Sequence, residues 1–362
     1  MVRAESLPQR GCRSGWVEHR RAARARQRAC GPYHQRVMPR PDGLVIGPFT
    51  PDALDAAGRL LAARHRIQRL TEPGLSPAYE DDAAARAEVA AITAMDGASG
   101  AVAHRGDELV GYLLGSPRAP MWGPNRWVEG AGHAVVEPES VRDLYGFAAS
   151  RWVDEGATSH YAIVPATDPA LVDAWFRVGF GQQHVHAIRE VPDAGETSGI
   201  PPDLTLRLAE RRDIAAMGRI DVSLPEHQAR SPVFSMQTPP AVEASVADID
   251  ADFDDPAFTT FVVERDGGVI GFAVCCGIEE SSEHRGIVRP DRAGFLGFAA
   301  VLPEARGMGA GRVLGEAVLA WSRDAGYPTV VTDWRETNLL SSRTWPRLGF
   351  RPTFRRLFRA IA

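Results

Sequence analysis

The chain repeats itself. DPALVDAWFRVGF (Asp168 to Phe180) and NLLSSRTWPRLGF (Asn338 to Phe350) align Trp175 with Trp345, Arg177 with Arg347 and Gly179-Phe180 with Gly349-Phe350, at an offset of 170 throughout. Gly156 and Gly326, each closing a helical pattern, keep the same offset. GDELVGYLLG (106–115) resembles DGGVIGFAVC (266–275) at an offset of 160, and both read as a turn followed by a strand. Self-similarity of this length predicts a duplicated domain, and 362 residues suit two cores better than one. The halves are read as 44–191 and 204–362. PDAGETSGIPPD (192–203), with the composition of a loop, links them.

Each half opens on a short strand, LVIGPF or LTLRLA, and continues into a helix near PDALDAAGRLLAAR or ERRDIAAMGRI. In the second half, apolar patterning predicts strands over 259–264, 269–277, 294–301 and 329–333, a last pair near 351–361, and helices over 309–325 and 338–348. Strands first, then alternating strand and helix, predict an α/β (α+β) fold with a mixed sheet and helices on both faces.

One junction carries more backbone freedom than a turn requires. GFLGFAAV (294–301) runs into LPEARGMGAG and then into the helical VLGEAVLAWSRDAG (313–326). Gly307, Gly309 and Gly311 alternate there, between Arg306 and Arg312. Glycine admits positive φ and places no side chain between backbone N–H groups and a ligand. A helix start adds free donors and partial positive charge. Together they suit an anion; the plain alternative is a glycine-rich tight turn.

Composition narrows the anion. All 41 basic residues are arginine, so a P-loop, which needs lysine, is excluded. A dinucleotide fingerprint needs GxGxxG directly after a strand. Here PEAR intervenes, the third glycine falls on Arg312 or Leu314, and only 29 residues follow Asp333. Residues 1–38 carry nine arginines and two glutamates, +7, so the remainder carries −5 − 7 = −12. An acidic body argues against nucleic acid as a partner. Residues 1–43 are read as a disordered basic segment, with Met38 as the expected initiator. No apolar run approaches the ~20 residues of a membrane span, and no apolar segment follows the N-terminal charges as in a secretory signal. Cys12, Cys30, Cys275 and Cys276 form neither a disulfide framework nor a zinc spacing, which suits a reducing cytoplasm.

Arg306-Gly307-Met308-Gly309-Ala310-Gly311 fits a third pattern, R/Q-x-x-G-x-G/A. Here the second half resembles the GNAT superfamily of N-acetyltransferases. Downstream, Asn338, Ser341, Trp345 and Gly349-Phe350 hold the spacing of the family's N-x-x-A-x-x-x-Y-x-x-x-G-F. The resemblance implies two tandem GNAT-like domains, each a central mixed sheet flanked by helices. The first is degenerate: setting Pro138 against Pro303 requires a five-residue deletion that removes the glycine loop.

The resemblance further implies that acetyl-CoA is the cosubstrate, with no metal. Its pyrophosphate would sit on N–H groups of Gly307, Met308, Gly309, Ala310, Gly311 and Arg312, with Arg306 adding charge. Its pantetheine would pair with the strand carrying Ala299, Ala300 and Val301, and an N–H near Val301 or Leu302 would polarise the thioester. Asn338, Ser341 and Trp345 would contact the coenzyme; for Asn338 a plain helix cap competes. The pattern breaks at two places. Trp345 stands where the family has its acidic Tyr, and an indole N–H is no acid at neutral pH. The strand 294–301 lacks the family's frequent Glu base. Asp333 is the first substitute as catalytic residue, against an ion pair with Arg335 or Arg343. The loop EESSEHRG (279–286), with Glu279, Glu280, Glu283 and His284, is a candidate wall of the acceptor site or a solvated loop.

The expected function is N-acetyl transfer from acetyl-CoA to a primary amine by direct attack. The expected partners exclude nucleic acid and membrane and leave a homodimer open. The competing reading is a non-catalytic scaffold that binds acyl-CoA or a partner.

Overall fold

The computed structural model describes residues 43–118, 122–195, 199–235 and 238–361. The basic N-terminal segment, with Cys12 and Cys30, lies outside the described residues. The fold is mixed α/β, as the patterning predicts.

The first half contains β1 (Leu44–Pro48), α1 (Leu54–Thr71), α2 (Asp82–Thr93), β2 (Ser99–Arg105), β3 (Glu108–Gly115), β4 (Asn125–Val128), β5 (His133–Val135), α3 (Ser140–Asp154), β6 (Ser159–Pro165), α4 (Pro169–Phe176) and β7 (Gly181–Glu190). The second contains β8 (Thr205–Leu208), α5 (Ile214–Gln228), α6 (Val242–Asp252), β9 (Thr259–Arg265), β10 (Gly268–Gly277), β11 (Gly294–Val301), α7 (Ala310–Asp324), β12 (Thr329–Arg335), α8 (Ser341–Arg347) and β13 (Arg351–Ala360). The offset of 170 is structural: α3, β6 and β7 begin at Ser140, Ser159 and Gly181, and α7, β12 and β13 at Ala310, Thr329 and Arg351.

The sheets do not divide at the linker. One sheet has four strands in the order β1-β2-β3-β5, and the other nine, β4-β6-β13-β7-β12-β11-β10-β9-β8. The halves have therefore exchanged their last strands. β7 pairs with β12 of the second half, and β13 with β6 of the first, all antiparallel. The two exchanged strands then pair with each other. The exchange is reciprocal down to single residues. Arg189 of β7 donates to Leu348 O, and Arg359 of β13 to Val178 O, each closing the other half's helix end. Those ends turn on Gly349 and Gly179, both at φ 84°, where only glycine sits without strain.

Three expectations change. The last pair of strands is one strand, Arg351–Ala360. Register shifts at Pro352/Phe354 and Arg356/Leu357 interrupt its alternation and imitate a turn. The helix expected over 338–348 starts at Ser341, because the Asn338 carboxamide oxygen accepts from Leu340 N (3.2 Å) in a local turn. Helices α2 and α6 were not anticipated. Both are rich in alanine and acids, and each buries few apolar side chains, so no stripe marks them.

Candidate active site

β11 makes the site by leaving a neighbour. It pairs with β10 along its whole length but with parallel β12 only from Gly294 to Leu296. Val274 opposes Phe298 and Cys275 opposes Leu296, so Gly297 is the unopposed residue of a bulge. A bulge bends its strand, and from Gly297 onward β11 parts from β12. Leu302 N donates to Ile270 O (2.9 Å). Strand N–H groups alternate sides, so the Val301 N–H faces the opened gap. Of the two positions expected to polarise a carbonyl, the structure withdraws Leu302, whose donor is spent on β10.

Past the strand, Gly307 (φ 82°) and Gly309 (φ 90°) turn the backbone into α7, with Gly309 as its N-cap. An added Cβ at Gly307 or Gly311 would meet nothing within 4 Å, so the loop's outer face is open. The start of α7 leaves N–H groups without helical carbonyl partners. Ala310, Val313, Leu314, Ala317 and Val318 bury the helix's inner stripe, which holds that start in place at roughly 1.5–3 kcal/mol per large side chain. Gly315 lets α7 close on α8: a Cβ there would lie 2.5 Å from Leu348 Cδ1.

Between β11, β12 and the helix starts lies a cleft of about 670 Å³. Ala299, Ala300, Val301, Arg306, Gly307, Gly309, Ala310, Gly311, Arg312, Asp333, Asn338, Ser341 and Trp345 all border it. Met308 does not: its sulfur accepts from Arg265 Nη1 (2.7 Å). Arg312 is engaged by Glu316 (2.8 Å) and by Gly199 O (2.9 Å). Arg306 reaches His227 Nδ1 (3.4 Å), whose Nε2 lies 3.3 Å from Asn338 Oδ1. His227, on α5, thus ties the glycine loop to the start of α8. Burial, then Arg306, pushes its pKa down. The Ser341 hydroxyl donates to Asn338 O (3.3 Å). Trp345 is buried and meets Phe350 edge-on.

Asp333 stands at the fork of β11 and β12, next to Thr332, whose hydroxyl donates to Leu296 O (3.0 Å). The sequence suggested arginine partners for it; the geometry supplies histidines. His184 Nε2 lies 2.9 Å from Asp333 Oδ1, and His284 Nε2 3.9 Å from Oδ2. His186 packs on His284 at 4.5 Å between ring centroids. Burial opposes the Asp333 charge, but the flanking histidines outweigh it and hold the carboxyl well below its ordinary range. Burial pushes the pKa of all three histidines down. His184 and His186 belong to β7, and sequence reasoning missed them. Their signal is HVH (184–186) in a strand whose offset counterpart, FRR (354–356), has no histidine. Of the EESSEHRG loop, His284 joins this cluster, with Nδ1 2.9 Å from the Ser281 hydroxyl, and Glu283 meets Arg118 and Arg356. Among the described residues no His, Cys, Asp and Glu group could hold a metal ion.

A strand that splays at a bulge, followed by a positive-φ glycine loop and a helix start, is the arrangement that the resemblance led us to expect. Residues 226–350 match the family model of the acetyltransferase (GNAT) family. The C-terminal region is a GNAT acetyltransferase domain. A mycothiol acetyltransferase from Thermomonospora curvata is 29% identical over 227 residues, 61% of this chain and 70% of that protein. A GCN5-related N-acetyltransferase from Sphaerobacter thermophilus shares the fold at a TM-score of 0.52 and 14% identity, covering 88% of this chain and 96% of that one. A tandem GNAT protein from the clavulanic acid biosynthesis pathway gives 0.46 at 16% identity, over 87% and 97% of the two chains. No helix among the described residues is long and apolar enough to cross a membrane.

Proposed function

We propose that the chain is a tandem GNAT enzyme, with halves at 44–191 and 204–362, that transfers acetyl from acetyl-CoA to a primary amine in the second half's cleft. The observation that carries this is the parting of β11 from β12 beside the Gly307–Gly311 loop. The edge from Gly297 to Val301 suits the amides of an extended pantetheine, and the helix start suits a pyrophosphate. Acetyl-CoA supplies the activated acyl group. The chain's residues do the rest. Val301 N–H donates to the thioester carbonyl. Arg306, His227 and Asn338 hold the loop against α8. The acceptor nitrogen attacks the carbonyl carbon directly, and the C–S bond breaks. The acceptor ammonium loses one proton before it attacks and a second as the amide forms; one ends on the departing thiolate and one in solvent. Trp345 packs and does not donate a proton. Asp333 belongs to the proton-handling end of the cleft. The likeness to a mycothiol acetyltransferase supports a small-molecule acceptor, and a cytoplasmic location fits such chemistry.

Calorimetric titration of acetyl-CoA into wild type and Gly309→Glu tests the reading. The variant sets a carboxylate against the pyrophosphate at a positive-φ position, and affinity should fall at least about 100-fold, the cost of one opposed charge in a partly desolvated site. Binding equal in both proteins would remove the loop from the coenzyme site. Binding without turnover of any amine would leave the non-catalytic scaffold.

A further inference from the structure

Transfer needs a group that takes a proton from the incoming ammonium, and the first half of the chain brings one. We infer that His184, carried into the second half's cleft by the exchanged strand β7, is the proton acceptor, with Asp333 as its positioning residue. The inference rests on the transferase reading above.

The carboxylate at 2.9 Å from His184 Nε2 fixes the tautomer. Nε2 carries the hydrogen and donates it, and Nδ1 keeps a lone pair. That Nδ1 is buried with no hydrogen-bond partner among the described residues. An unpartnered polar atom in a dry place is costly, and a substrate N–H would satisfy it. The ring borders the cleft and keeps 13% of its side-chain surface open. Groups facing it come from every neighbouring element: His186 on its own strand, Asp333 and Arg335 on β12, Arg356 on β13, and His284 on the facing loop. Burial lowers its pKa, Asp333 opposes this, and Arg356 and Arg335 add to it. The imidazole is therefore neutral near pH 7, as a base must be.

The pair is not something the fold requires. At an offset of 170 the counterparts of His184 and Asp333 are Phe354 and Ile163, both buried in one apolar cluster. The same strand exchange without chemistry uses hydrocarbon. In the step, an N–H bond of the ammonium breaks and the proton moves to Nδ1. The electron pair stays on nitrogen and attacks. Asp333 offsets the imidazolium charge, and the proton then leaves to solvent.

The test uses the full chain and acetyl-CoA with two kinds of acceptor. Benzylamine, phenethylamine and ethanolamine present alkylammonium groups at pH 7; methoxyamine is mostly unprotonated there. His184→Gln keeps an N–H donor for Asp333 without a basic nitrogen. It should lower kcat for the best alkylamine by about 10²–10⁴-fold, leave the acetyl-CoA Kd unchanged, and lower methoxyamine turnover by less than about tenfold. Asp333→Asn, which removes the group that raises the His184 pKa, should move the acidic limb of kcat/KM to lower pH. Equal losses with both kinds of amine, or none, would overturn the inference alone. Acetyl-CoA binding with no amine turned over by wild type would overturn the transferase reading and the inference with it.

Discussion

The same gap occurs twice in this molecule and is treated in opposite ways. In the second half β11 is continuous, pairs with β12 for three residues and then parts from it, leaving a cleft. In the first half the matching strand is broken. β4 pairs with β6 in the large sheet, and β5 with β3 in the small one. Arg64 of α1 is inserted at the break and donates to Gly130 O (2.7 Å) and to His133 O. Burial pushes its pKa down to about 10, and it still carries charge at neutral pH. Tyr112 adds a hydrogen bond to Ala131 O (2.7 Å). The carbonyls that the broken strand leaves behind are satisfied by protein side chains in the first half. The difference teaches that splayed strands alone leave no open cleft. The gap must be left open, and the glycine loop must follow it.

Arg64→Ala should break this contrast most severely. It strands buried carbonyls in the first half, and urea unfolding should show a loss of about 2–5 kcal/mol with the acetyl-CoA Kd unchanged. A changed Kd would mean that the two gaps are coupled. Acid should act next, and mainly on the first half. Burial depresses His133 to about 3 and His65 and His160 to about 4 from an ordinary 6.5. These histidines are neutral when folded and take up protons on unfolding. Stability is thus intact above about pH 6.5 and declines as pH falls towards 4. At about pH 4.5 His133 alone should account for about 2–3 kcal/mol of that decline, so urea midpoints of His133→Leu should depend less steeply on pH. The reciprocal arginines offer a matched pair: Arg189→Met and Arg359→Met should each cost about 1–3 kcal/mol. Strongly unequal costs would show that the exchange is symmetric in shape but not in energy. The smallest effect is expected from Arg312→Ala. Its charge is already met by Glu316, so coenzyme affinity should fall by no more than about threefold.

Much of this was legible because it is local. The glycine loop, the helix after it and the strand before it are consecutive in the chain, and their period and punctuation are visible in Gly294 to Gly326. The repeat was legible because Trp175 and Trp345 keep their packing partners, Phe180 and Phe350. What escaped was non-local. Nothing near Asp333 in sequence points to His184, 149 positions earlier (333 − 184). The two meet only because the last strands exchange, and no pattern within either half records an exchange. Arg64 escaped for the same reason: an arginine in a helix reads as surface, and only the broken strand beneath it makes it interior.

The exchange also sets an order of assembly. β13, the last strand among the described residues, does not lie at the rim of its sheet but between β6 and β7. Until it arrives, β6 has β4 on one side and an unpaired edge on the other, and β7 has no partner except β12. The first half, although synthesised first, cannot close before the second is nearly complete. Its contacts with β13 span most of the chain, the kind of pairing that slows folding. Deleting the final ten-residue strand would thus open the middle of the protein, exposing two edges of the kind that drive aggregation.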